Sequence, residues 1–177
     1  MTEVIHKLPD AATFTNACRV SSAAQTQALG QQVAGLLNGG EIILFYGELG
    51  AGKTCFIQGL CAALAVVEEV VSPTFTLVNT HVAKWKIHHL DFYRLESHHD
   101  LADVGVPDLL DEIWDGEAIG LVEWPGPLVP ELGDGPRYEL LATLGSGAED
   151  RIWHLRATPE VPAAWAALFP AKDSAVC

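Results

Sequence analysis

Behind Ser21 and Ser22, either of which offers a capping oxygen, Leu29, Val33, Leu36 and Leu37 recur at helical spacing until Gly39 and Gly40 close the run. The pattern predicts a helix over 20–40. Residues 41–46, Glu-Ile-Ile-Leu-Phe-Tyr, are then apolar without alternation, as in a strand covered on both faces. A glycine-rich turn at 47–52 and good helix formers at 53–65 follow. Strand composition returns at 75–79, 85–92, 118–123, 138–144 and 152–157. Two short acidic helices are expected at 97–104 and 107–114, the second opened by Pro107, and a last helix at 159–169, with fraying beyond Pro170. This order predicts an α/β fold: a central mixed sheet flanked by helices, with an antiparallel C-terminal part, in a single domain over 1–177.

Composition agrees with a packed core, since 49% of residues are hydrophobic and 19% charged. No apolar run approaches the roughly 20 residues of a membrane span, so no membrane association is expected. Cys18, Cys55, Cys61 and Cys177 form no CxxC pair and read as free thiols in a reducing, cytoplasmic setting. Ten basic residues against 23 acidic ones leave a net charge of −13, and eight of the acids fall between Glu96 and Glu117. Such a surface repels phosphate backbones, which argues against autonomous nucleic-acid binding and leaves a basic protein partner open.

Gly47-Glu-Leu-Gly-Ala-Gly-Lys53-Thr54 matches GxxxxGK[ST] between an expected strand and an expected helix. Glycine lets successive backbone N–H groups converge on phosphate oxygens, and the helix dipole adds to their pull. Glu48, Leu49, Gly50, Ala51, Gly52, Lys53, Thr54 and Cys55 are therefore the candidate nucleotide-binding residues. Lys53 would reach the β and γ phosphates, and the Thr54 hydroxyl would face Mg²⁺. No [NT]KxD guanine-reading motif occurs, which favours ATP, and five scattered arginines disfavour the lid of a small-molecule kinase.

Mg²⁺ calls for a second protein oxygen, usually a carboxylate at a strand end. Ile87-His-His-Leu-Asp91 and Ile119-Gly-Leu-Val-Glu123 both have that form, and strand pattern does not choose between them. Ser72-Pro-Thr-Phe-Thr76 is either a hydroxyl-bearing switch segment or a turn leading into a strand. The pairs His88-His89 and His98-His99 lack the rhythm of a zinc site.

Together the loop, Ser72-Pro-Thr-Phe-Thr-Leu-Val78, His89-Leu-Asp-Phe-Tyr-Arg-Leu95 and Val122-Glu-Trp-Pro125 resemble the ordered motifs of the TsaE (YjeE) family, P-loop ATPases of tRNA threonylcarbamoyladenosine formation. The resemblance spans about Ser21 to Pro125 and implies a P-loop NTPase-like fold. It implies Mg²⁺ on Thr54 and Glu123, Asp91 orienting or activating the attacking water beside Lys53, and Thr74 and Thr76 in a switch. It also implies ATP as the nucleotide and TsaB and TsaD as partners. The modified base would be the adenosine 3′ to the tRNA anticodon, with no direct autonomous tRNA binding by this chain. Trp124 and Arg94 fall in the same motifs, Trp124 as a sensitive neighbour or core packing, Arg94 as a transition-state cation or a partner of the acidic segment. Gly126 departs from the usual glutamate and Cys55 from the usual threonine. A small-molecule kinase and a non-catalytic, nucleotide-gated binding protein are the alternatives.

Overall fold

The computed structural model describes residues 6–95 and 100–172. Seven strands form one sheet: β1 (Asn16–Val20), β2 (Ile42–Tyr46), β3 (Val78–Val82), β4 (Lys86–Asp91), β5 (Ala118–Glu123), β6 (Arg137–Leu144) and β7 (Arg151–Thr158). Their order is β1-β7-β6-β2-β5-β4-β3. The four central strands, β6, β2, β5 and β4, pair in parallel, whereas β7, β1 and β3 add antiparallel edges. Every residue of β2 and β5 is buried, which accounts for their unbroken apolar runs.

Helices α1 (Ala23–Ala34) and α2 (Lys53–Ala63) cover one face, together with α6 (Ala163–Leu168). The other face is covered by α3 (Asp100–Asp103), α4 (Val106–Trp114) and α5 (Val129–Leu132), with Phe14 from the N-terminal segment. α1 and α2 cross very closely: a Cβ on Gly59 would lie 2.1 Å from the Gln27 carbonyl oxygen, and one on Gly30 would lie 2.2 Å from that of Phe56. Behind the glycine turn, Phe45, Phe56 and Trp153 form an aromatic wedge with centroid separations of 5.5 Å (Phe45–Phe56) and 4.7 Å (Phe56–Trp153). Such pairs add about 0.5–1.5 kcal/mol each beyond area burial and give the turn a rigid floor.

Several expected boundaries move. The helix predicted over 20–40 is shorter, because Val20 belongs to β1, where it opposes Arg151 of β7. Ser22 caps the helix by accepting from the Gln25 amide at 3.2 Å, and the helix stops at Gly35, after which Leu36 and Leu37 continue only in i→i−3 turns. The strand expected at 75–79 begins at Val78 instead. Residues 74–76 form a turn closed by Leu77 N–H donating to Pro73 O at 2.6 Å, and Phe75 is 81% exposed. Only part of the helix predicted over 97–104 falls among the described residues, as α3. The last helix starts at Ala163 because Pro162 occupies its N-cap in an extended conformation. Residues 171–172 do not fray: Ala171 bridges to Asn16 and Lys172 N–H donates to Thr15 O at 3.0 Å. No helix among the described residues is long and apolar enough to cross a membrane.

Candidate functional site

Parallel pairing brings the ends of three strands together at one edge of the sheet. Asp91 and Glu123 are direct register partners on β4 and β5, and Glu123 also opposes Phe45 of β2, just before the glycine turn. Two acids that the sequence separates widely thus meet beside the turn. Gly52 begins α2 with φ at 101°, a left-handed conformation that a side chain would strain, and supplies no side-chain cap. The first-turn N–H groups of this 11-residue helix therefore remain available to an anion.

A cavity of about 320 Å³ opens there, lined by Leu49, Gly50, Gly52, Lys53, Thr54, Cys55, Ser72, Thr74, Asp91, Tyr93, Glu123 and Trp124. Lys53 is buried, and its ammonium donates to the Gly47 and Glu48 carbonyls at 2.8 and 3.1 Å. It also lies 4.3 Å from the Trp124 ring centroid. Burial lowers the Lys53 pKa from its ordinary value, opposed by Glu123, Asp91 and Glu48. Trp124 holds this place with φ at 53°, uncommon for a non-glycine residue and costing on the order of 1–3 kcal/mol. Tyr93 packs against it at 4.9 Å.

Thr54 Oγ1 donates to Glu123 Oε1 at 2.9 Å, and His89 Nε2 lies 3.0 Å from the same oxygen. A carboxylate only accepts, so this contact selects the Nε2–H tautomer of His89. Asp91 is tied differently. Its Oδ2 accepts from the Ser72 hydroxyl and, at 2.6 Å, from the Thr74 hydroxyl, while Oδ1 accepts from the Tyr93 amide at 2.9 Å. The Ser72–Thr74 segment is thereby latched onto β4. A hydroxyl beside a carboxylate is a hard-oxygen donor set, which fits Mg²⁺ rather than a soft metal.

Of the residues singled out from sequence, Leu49, Gly50, Gly52, Lys53, Thr54, Cys55, Thr74, Asp91 and Glu123 line this cavity. Glu48 contributes its carbonyl to Lys53, and Ala51 is buried beneath the turn. Thr76 faces elsewhere, donating to Asn79 Oδ1 at 3.1 Å. Arg94 stacks on exposed Phe75, with its guanidinium carbon 4.0 Å from the ring centroid. Cys55 contacts the Ala23 carbonyl through its sulfur, and burial raises its pKa, so its thiol is not activated.

Sequence reasoning missed two contributors. His89 entered as a motif member and as half of a histidine pair set aside for zinc, with no role assigned, although it is wholly buried against Glu123. Arg151 lies 100 and 101 residues beyond the loop carbonyls it holds, donating to Ala51 O at 3.2 Å and Gly50 O at 3.3 Å. It also lines a second cavity of about 270 Å³ on the loop's other flank, with Thr26, Cys55 and Glu149. No local signal marks Arg151, because only β7 pairing delivers it.

The family described as threonylcarbamoyl adenosine biosynthesis protein TsaE matches residues 20–147 of the chain. The chain belongs to the TsaE family. The tRNA threonylcarbamoyladenosine biosynthesis protein TsaE of Treponema pallidum is 35% identical over 127 residues, covering 72% of this chain and 89% of the relative. The TsaE of Synechocystis is 45% identical over 113 residues, covering 60% of this chain and 68% of the relative. YdiB of Bacillus subtilis shares the fold, with a TM-score of 0.66 at 24% identity over 86% of this chain and 89% of its own. The TsaE match runs past the last sequence motif through β6 and into the turn after it, and ends before β7.

Proposed function

We propose that this TsaE-family chain binds and hydrolyses MgATP as an accessory protein in threonylcarbamoyladenosine modification of tRNA at the adenosine 3′ to the anticodon, acting with TsaB and TsaD. The observation that carries the reading is the Thr54–Glu123 contact at the mouth of a glycine turn whose helix is uncapped. Thr54 and Glu123 would hold Mg²⁺, which when bound neutralises charge on the β and γ phosphates.

The chain's own groups do the rest. First-turn N–H groups of α2 bind phosphate oxygens, and Lys53 exchanges the Gly47 and Glu48 carbonyls for them. Asp91, released from the Ser72 and Thr74 hydroxyls, orients the attacking water and accepts its proton. Those hydroxyls then report the state of the site through the Ser72–Thr76 segment, which makes that segment the switch. Thr26 and Arg151, in the second cavity, suit the nucleoside end. The chain does not itself transfer the threonylcarbamoyl group.

The test is ATP binding by calorimetry with Mg²⁺, and ATP hydrolysis with and without TsaB and TsaD. Slow turnover alone, faster with both partners and absent in Lys53→Ala, is expected. Failure to bind ATP in Mg²⁺ rejects the reading. Phosphate transfer to a metabolite would reassign the chain as a kinase, and ATP-dependent association without hydrolysis would make it a nucleotide-gated binder.

A further inference from the structure

On the helical face formed by α3, α4 and α5, a further concavity of about 370 Å³ takes no part in the nucleotide reading. α4 presents one stripe to it, Val106, Pro107, Leu110, Asp111 and Trp114, at the three- and four-residue spacing of a helix face. Val106 and Leu110 form a buried apolar floor with Leu101 of α3, while Trp114 stands 55% exposed at the end of the stripe. A large aromatic left in water beside an apolar floor is the composition of an interface anchor. Asp111 and Glu131 complete the rim.

The electrostatics around this groove have one sign. From Asp100 to Pro136 the chain carries nine acidic residues besides the buried Glu123 of the nucleotide cavity, and no Lys, Arg or His. α4 has no basic residue in its last turn, so Asp111 and Asp115 face the negative end of the helix dipole without compensation from the helix itself. Lys86, from β4, pairs with Glu112, which leaves the groove-side acids to attract cations from outside. An anionic membrane or an RNA is repelled by such a rim, and a second copy would bring its own acids against it.

We propose that this groove docks a partner protein through an amphipathic helical segment whose leucine-like residues fill the floor against Trp114 while flanking lysines or arginines meet Asp111 and Glu131. The mode is helix in groove, with apolar anchors one helical turn apart and charge complementarity setting orientation. The proposal goes beyond the nucleotide reading and does not rest on it.

The experiment uses the full chain, isotopically labelled, and a synthetic peptide of leucine and lysine at helical spacing, with a leucine and glutamate peptide of the same pattern as control. Saturable one-to-one binding of the basic peptide is expected, with amide shifts concentrated over 101–114 and Glu131 and none with the acidic peptide. Trp114→Ala should weaken binding by about tenfold or more, whereas Trp114→Phe retains most of it. The pair Asp111→Lys and Glu131→Lys should weaken it comparably and flatten its salt dependence, while Glu160→Lys, an exposed acid before α6, leaves it unchanged. Circular dichroism verifies that each variant is folded. The proposal fails if binding is absent, if shifts spread over all acidic surfaces, or if Glu160→Lys costs as much as the groove pair. It also fails if the chain dimerises through this face and Trp114→Ala makes it monomeric.

Discussion

Thr54 Oγ1 donates to Glu123 Oε1 at 2.9 Å across 69 residues of sequence. This bond joins the first turn of α2 to the end of β5 and holds the strand-end carboxylate of Glu123 on the loop's threonine. Asp91, its register partner on β4, is instead committed to Ser72 and Thr74. The two strand-end acids that the sequence pattern left equivalent thus differ in their side-chain partners.

Removing either member of the pair should act on metal-dependent binding first. Thr54→Val and Glu123→Ala are each expected to weaken ATP binding in Mg²⁺ by roughly 10- to 100-fold, the range for losing a hydrogen bond to a charged group. Calorimetric titrations of ATP at several Mg²⁺ concentrations check this. Glu123→Ala should recover part of its loss at high Mg²⁺, and identical curves for all three proteins would contradict the assignment.

His89 predicts a subtler defect. Its Nε2–H orients the Glu123 carboxylate, and a group in that supporting position is typically worth 10- to 100-fold in metal affinity. His89→Ala should therefore raise the Mg²⁺ requirement by roughly that factor, while His89→Gln, which offers a donor amide, recovers part of it. ATP binding without Mg²⁺ serves as the control and should move little.

The α1–α2 crossing sets a stability prediction. A methyl group on Gly59 or Gly30 would meet backbone oxygen at 2.1 or 2.2 Å, which neither helix can relieve by a side-chain rotation. Gly59→Ala and Gly30→Ala should each destabilise the fold by about 1–3 kcal/mol or more, despite alanine's better helix propensity. Urea unfolding midpoints measure it, and an unchanged or raised midpoint would contradict the close crossing.

His154 gives the acid side of the stability profile. Burial, with Lys172 nearby, pushes its pKa down to about 4. Its Nε2 pairs with Thr143 Oγ1 at 2.9 Å, and its Nδ1 is buried without a partner among the described residues. An unfolded histidine titrates near 6.5, so between about pH 6.5 and 4 the unfolded chain binds the extra proton, and stability falls as pH drops. The loss is at most about 3 kcal/mol and levels off below about pH 4. His88, also lowered by burial, works in the same direction. Chemical denaturation across this window should show the slope, and His154→Leu should flatten part of it.

The features legible along the chain are local and covalent in origin. Spacing within a few residues announces the glycine turn, its lysine and threonine, the buried strand at 42–46 and the strand ending at Glu123, because these depend on backbone freedom and on burial of consecutive residues. The motif order also carried the family. Tertiary structure decided whatever needs a distant partner. Val20 leaves the helix because β7 pairs with it, Thr76 turns from the cavity toward Asn79, and Arg151 and His89 reach the site only through strand pairing. Periodicity reports which face a residue turns inward, whereas the neighbour waiting on that face is set by how the whole chain packs.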